Sequence, residues 1–175
     1  MQYIHNFSTK VLCLFMVGFV LLMVQSCGVY SFTGASIPPE AKTISVQYFQ
    51  NNALLVEPLL SDEFTNALRD RFMSQTSLNM IAQNGDLAFE GEITDYATTP
   101  VAIQSDQTAA LNRLTITVNV RFTNKFNEST NFESKFTQYM EYPSEQDLNA
   151  VKSQLITDIV AMLVDDIFNK SVVNW

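Results

Sequence analysis

The stretch LTITVNVRF, Leu114 to Phe122, decides the fold class. Leu114, Ile116, Val118, Val120 and Phe122 alternate with Thr115, Thr117, Asn119 and Arg121. Successive side chains of a strand point to opposite faces, so this alternation predicts a strand with one buried and one polar face. Arg113, Thr115, Thr117, Asn119 and Arg121 share the outward side. The apolar side needs a second layer to cover it.

The flanking sequence supplies more strands of the same kind. Leu87, Phe89, Gly91 and Ile93 alternate with Glu90 and Glu92 in a strand expected to reach about Ala97. Asn84-Gly85-Asp86 before it is a turn signal, and Leu78 to Ala82 (LNMIA) is a short strand candidate. Thr43 to Gln50 (TISVQYFQ) alternates Ile44, Val46 and Tyr48. On the other side, Lys125 to Asn131 reads as a turn, and Phe132, Ser134, Phe136, Gln138 and Met140 as a weaker strand. Thr98 to Ala110 is polar and is expected to form a loop.

Two segments carry helical spacing. In Pro58 to Ser74, Phe64, Leu68 and Phe72 form one stripe, with Ser61 as the expected cap and Asp62 and Glu63 at the positive end of the dipole. Pro143-Ser144 opens the second, with Ser144 and Asp147 in capping-box spacing. Leu148, Val151, Leu155, Ile159, Met162, Leu163 and Ile167 then recur every three or four residues. About 24 residues at 1.5 Å rise give roughly 36 Å, enough to cross a sheet. Strands with one apolar face each and two amphipathic helices predict an α+β fold. The expected form is a two-layer sandwich, a four- to five-stranded mixed sheet with both helices packed on one face. A single domain over residues 43–175 is expected.

The first 42 residues read differently. Lys10 precedes Val11 to Val24 (VLCLFMVGFVLLMV), then Gln25, Ser26 and Cys27. This apolar run is short for a spanning helix, which needs roughly 20 residues, and suits a secretory signal. Val24, Ser26 and Cys27 resemble the lipobox of bacterial lipoproteins, which implies cleavage before Cys27 and acylation of its thiol and amine. The other reading of Cys27, a buried or disulfide-bonded thiol, lacks a partner, because Cys13 lies in the removed segment. Residues 1–26 are thus expected to be a lipoprotein signal peptide and 27–42 a lipidated tether. Acyl chains contribute roughly 0.8 kcal/mol per buried CH₂, so two or more give stable anchoring.

Composition narrows the chemistry. The 175 residues carry 10 Lys+Arg against 18 Asp+Glu, a net charge of −8, so no basic footprint for nucleic acid exists. Cleavage would also remove His5, the only histidine, together with Cys13. The usual Ser/Cys–His triads and His-bearing zinc sites are then unavailable, and with Cys27 acylated no free thiolate remains. Neither GxGxxG nor GxxxxGK[ST] occurs. Glu90 and Glu92 share a strand face roughly 6.5–7 Å apart, a spacing open to acid–base work. Their alternation with Phe89, Gly91 and Ile93 already explains them as a solvated face. Asp165-Asp166 reads as solvated helix surface or as a contact. No enzyme, cofactor or metal is expected. Arg113, Arg121 and Lys125 are the candidate contacts for a partner or for a lipid phosphate, with surface solubility as the competing reading.

Three segments carry a family resemblance: Cys27-Gly28-Val29-Tyr30-Ser31-Phe32-Thr33-Gly34, Thr108 to Arg121 (TAALNRLTITVNVR), and Asp166-Ile167-Phe168-Asn169-Lys170. Together they resemble the lipopolysaccharide-assembly lipoprotein family (LptE-like), over essentially the whole chain. The resemblance implies an outer-membrane lipoprotein that plugs a large β-barrel translocon (LptD-like). It implies help in folding that barrel and binding of lipopolysaccharide on its way to the outer leaflet. It also implies a small sheet with two helices on one face. Only Cys27 carries over by position, as the lipidated residue; the stretch Val101 to Gln107 contains no basic residue. Gly28 after the cysteine, with the first acid at Glu40, fits an outer-membrane, periplasm-facing location. The reading weighed against it is a stand-alone periplasmic lipoprotein that binds a lipid or cell-wall fragment without a barrel.

Overall fold

The computed structural model describes residues 37–101 and 110–173. Cys27 and the signal segment lie outside the described residues, as does most of the stretch Val101 to Gln107. Strands β1 (Thr43–Val46) and β2 (Gln50–Asn51) precede helix α1 (Leu60–Gln75). The short β3 (Asn79–Met80) and the long β4 (Leu87–Val101), β5 (Leu111–Asn124) and β6 (Phe132–Pro143) follow, and helix α2 (Leu148–Val172) ends the fold.

The sheet has six strands, in the order β3-β1-β4-β5-β6, with β2 also pairing β4. The expected four to five strands become six because Thr43 to Gln50 breaks. β1 and β2 both run parallel to β4, at Ile44–Val46 opposite Leu87–Phe89 and Gln50–Asn51 opposite Glu92–Ile93. Between them the chain turns Phe49 into the core and leaves Tyr48 half exposed, the reverse of the expected alternation. Phe49 N–H donates to Thr65 Oγ1 of α1 at 3.1 Å, which satisfies a buried donor at the break. β4–β5 and β5–β6 are antiparallel, so the sheet is mixed as expected.

Both helices lie on one face. Leu114, Ile116, Val118, Val120 and Phe122 of β5 are fully buried beneath them, as are Phe64, Leu68 and Phe72 of α1 and Ile159, Leu163 and Ile167 of α2. Phe89, Phe122 and Phe132 stand opposite one another across β4, β5 and β6, with ring centroids 4.8 and 5.4 Å apart. Phe72 closes on Phe89 at 4.9 Å and on Phe168 at 5.0 Å, which links both helices to this aromatic row.

Several boundaries differ from the sequence reading. β4 continues to Val101 and β5 begins at Leu111, because Thr98, Thr99 and Pro100 pair with Leu114, Arg113 and Asn112. A bulge between Ile93 and Asp95 keeps Tyr96 facing the core. Ser61 does not cap α1: it is buried in the first turn, and the chain enters through Leu59 without a side-chain cap. Ser144 does not cap α2 either; Asp147 Oδ1 accepts from Asn149 N–H at 3.1 Å. Part of the expected tether is packed, with Ala41 buried and Ile37 against the core.

Candidate functional site

The face of the sheet away from the helices has no covering layer among the described residues. Its residues follow from register. Across β4, β5 and β6 the outward rows are Glu90–Arg121–Glu133, Glu92–Asn119–Lys135, Asp95–Thr117–Thr137, Ala97–Thr115–Tyr139 and Thr99–Arg113–Glu141. The middle of the face is thus hydroxyl-rich, with Asp95 its one charge, and the other charges gather toward its two ends.

At one end Arg121 pairs with Glu133 at 3.0 Å, and Asn119 Nδ2 donates to the same carboxylate at 3.2 Å. These donors, Asn119 first and then Arg121, hold the Glu133 carboxyl below the ordinary carboxylate range. Glu90 accepts from Gln47 at 3.0 Å and Glu92 from Asn52 at 2.6 Å. Beside them is a shallow hollow of about 350 Å³, lined by Gln47, Glu90, Gly91, Glu92, Asn119, Arg121 and Glu133. At the other end Arg113 Nε donates to Glu141 at 3.1 Å, and its guanidinium stacks 4.1 Å from the Tyr139 ring centre. The hydrogen bond to Glu141 raises the Arg113 pKa further, so it is a permanent cation.

Arg113 and Arg121 therefore share one face, as their spacing predicted, but each is neutralised by a carboxylate on β6. Lys125 stands apart in the turn after β5, and its amine donates to the Asn84 carbonyl at 2.8 Å. Glu90 and Glu92 lie on the open face, each held by an amide side chain. Asp165 pairs with Arg71 of α1 at 3.0 Å and Asp166 accepts from Gln138 of β6 at 2.7 Å, so both bind the helix to its neighbours. At the entrance to β4, Asp86 accepts from the backbone N–H groups of Lys42 and Thr43 at 2.9 and 3.0 Å. These bonds, Lys42 first, lower its pKa.

The sequence reading missed one surface. Leu54, Leu55, Val56 and Leu59, between β2 and α1, are exposed, Leu54 at 98%. The signal was present in the run Leu54-Leu55-Val56, which follows neither strand nor helix period. Such clustered exposure marks contact surfaces more often than scattered apolar residues do. Glu57 inside this tip pairs with Lys152 at 2.9 Å and fixes it beside the start of α2.

Among the described residues no cluster of His, Cys, Asp and Glu could hold a metal ion, and no helix is long and apolar enough to cross a membrane.

The family model LptE, described as lipopolysaccharide-assembly, matches residues 41–171. The chain belongs to this family. That match spans every described strand and almost all of α2. A search of curated proteins finds no sequence match. Among solved structures, a neuraminyllactose-binding hemagglutinin homolog from Helicobacter pylori is similar at 9% identity and a TM-score of 0.50, covering 81% of this chain and 88% of that one. A minor lipoprotein from Acinetobacter baumannii is similar at 14% identity and a TM-score of 0.49, covering 74% and 91%. The rare lipoprotein B from Shewanella oneidensis has 12% identity and a TM-score of 0.46, covering 71% and 91%. At these identities the likeness concerns the fold alone.

Proposed function

We propose that this LptE-family chain is an outer-membrane lipoprotein that plugs and helps assemble the barrel through which lipopolysaccharide reaches the outer leaflet, and that it acts without catalysis. Cys27, acylated after removal of residues 1–26, tethers it to the periplasmic leaflet. The observation that carries this reading is the uncovered face of β4, β5 and β6. The lumen of a membrane barrel is polar. A plug must therefore meet it with hydrogen-bonding side chains and balanced charges, and the rows from Glu90–Arg121–Glu133 to Thr99–Arg113–Glu141 present such a surface. Family membership supports the lipopolysaccharide-assembly role.

The internal pairing of Arg113 and Arg121 bears on how they act. Paired guanidinium groups have donors to spare for a partner's carbonyls, hydroxyls or phosphates, but little net charge to attract a polyanion. Arg113 and Arg121 accordingly serve the barrel wall in this reading, and Lys125 is the freer cation for a lipid phosphate. The aliphatic tip at Leu54, Leu55, Val56 and Leu59 gives the same partner an apolar anchor.

Depletion of the protein tests the role. The folded form of the barrel should fall, and newly made lipopolysaccharide should fail to reach the cell surface. Normal barrel levels and normal surface lipopolysaccharide after depletion would overturn it, and would leave a stand-alone lipoprotein.

A further inference from the structure

The end of the sheet where the chain enters it differs from the far end. Asp86 ties this end together: its carboxylate accepts from the Lys42 and Thr43 N–H groups, and its carbonyl accepts from the Lys125 N–H at 3.0 Å. Lys42 and Lys125 therefore flank one residue, and both are exposed. The Lys125 amine spends one donor on the Asn84 carbonyl and keeps two. Lys170, exposed near the end of α2, bonds Ser134 at 2.7 Å close to the start of β6. Among the described residues none of these three lysines is in an ion pair. Phe126, next to Lys125, is 48% exposed on the turn between β5 and β6. The buried Asn124 side chain accepts from the Phe126 and Asn127 N–H groups at 3.0 and 3.2 Å, which fixes the turn that presents the ring.

The chain leading to this end is short. Ile37 packs against the core, Ala41 is buried, and the Ala41 N–H donates to the Pro38 carbonyl at 3.0 Å. The ten residues from Gly28 to Ile37 reach at most roughly 33–36 Å when extended. β5 alone spans roughly 45 Å at about 3.3 Å per residue. An anchor at Cys27 therefore holds the entry end, and not the far end, at a membrane surface. The far end is acidic. Asp62 and Glu63 open α1, Glu145 and Asp147 precede α2, and the cations there, Arg113 and Lys152, are paired with Glu141 and Glu57.

We propose that the entry end is a membrane contact: Lys42, Lys125 and Lys170 bind the phosphates of anionic phospholipids in the leaflet that holds Cys27, and Phe126 enters the headgroup layer beside Lys125. Lysines near an anionic leaflet are drawn to it, and an apolar ring beside them suits the headgroup boundary. Glu40, Asp86 and Glu128 also lie at this end and weaken the attraction, although the Asp86 carboxylate is taken up by the Lys42 and Thr43 N–H groups. The acyl chains hold the protein at the surface, and the lysines and the ring set which way up it stands. The acidic far end then points away from the lipid phosphates. The proposal rests on acylation of Cys27 and is independent of the barrel reading, since it leaves the open face free.

The protein purified from membranes and reconstituted in vesicles of phosphatidylethanolamine with phosphatidylglycerol provides the test. Intact mass is read first: an unmodified Cys27 overturns the lipoprotein reading and this proposal with it. A nitroxide is then attached at Ser129→Cys, on the turn that carries Phe126, or at Ser144→Cys, at the far end. In the anionic vesicles the label at position 129 should be shielded from a water-soluble relaxation agent, and the label at position 144 should stay accessible. Vesicles of phosphatidylcholine alone should expose position 129. Lys42→Gln with Lys125→Gln should lower the docked-to-undocked ratio about thirtyfold, at about fivefold per lysine. Phe126→Ser should also expose the label, with circular dichroism unchanged in every variant. With Cys27 acylated, equal accessibility at positions 129 and 144 overturns the proposal alone, as does shielding at position 129 that ignores both phosphatidylglycerol and the lysines. Shielding that arises only in membranes containing the barrel also overturns it, and would assign this end to the barrel.

Discussion

The ring of Phe49 packs against the backbone of Gly91, with its Cε1 2.6 Å from where a Cβ at position 91 would stand. The Asn119 carbonyl blocks the same space, and Gly91 has a φ of +157°. Glycine here lets the chain between β1 and β2 tuck Phe49 beneath α1, where it meets Phe64 at 5.0 Å. Gly91→Ala should therefore destabilise the domain by about 1–3 kcal/mol through overpacking. Urea denaturation measures it, and an unchanged midpoint would mean that Phe49 does not sit against the strand.

Helix α2 provides a second test. Ile159 is fully buried and Leu155 nearly so. Ile159→Ala and Leu155→Ala should each cost about 2–5 kcal/mol, because the lost transfer energy and the cavity add. Neutral results in chemical denaturation would contradict the two-layer packing.

How much of this was legible in the sequence depends on how local each signal was. β5 was legible because its alternation states both faces at once, and the stripe on α2 was legible for the same reason at helical period. Phe49 was not, since the break after Val46 shifts the alternation by one and only tertiary packing reveals the shift. The pairs Arg113–Glu141 and Arg121–Glu133 join residues 28 and 12 positions apart, and nothing short of the β5–β6 register brings them together. β4 outran its expected end because β5 supplies hydrogen-bond partners that the composition of Thr98 to Pro100 does not advertise.

The cap of α2 separates the two accounts of where that helix begins. Asp147→Ala should lower stability by about 1 kcal/mol, a typical loss for an N-cap side chain. Ser144→Ala should leave it nearly unchanged. The opposite ranking in thermal or chemical denaturation would restore Ser144 as the cap.

Acid should weaken the fold through Asp86. Its folded pKa is lowered by hydrogen bonding to the Lys42 N–H and to Thr43, so it contributes stability above the ordinary carboxylate pKa of about 3.9. That contribution is lost as pH falls through the lowered value. Asp86→Asn should be less stable than wild type near neutrality, and the gap should close as pH falls below the ordinary carboxylate range. A gap that widens in acid would contradict the assignment.

The central claim is that the open face of β4, β5 and β6 lies against a barrel wall. Thr115 and Thr117 occupy the middle of that face, between Ala97 and Tyr139 and between Asp95 and Thr137. The most direct measurement is the amount of large barrel that co-purifies with the chain from detergent-solubilised outer membranes, for wild type and for Thr115→Trp with Thr117→Trp. Tryptophan suits a strand and adds bulk outward, so the melting temperature of the variant should stay near wild type. The account predicts a stoichiometric barrel with the wild type and at least a tenfold loss with the variant. No barrel with the wild type, or full retention by the variant, would contradict it.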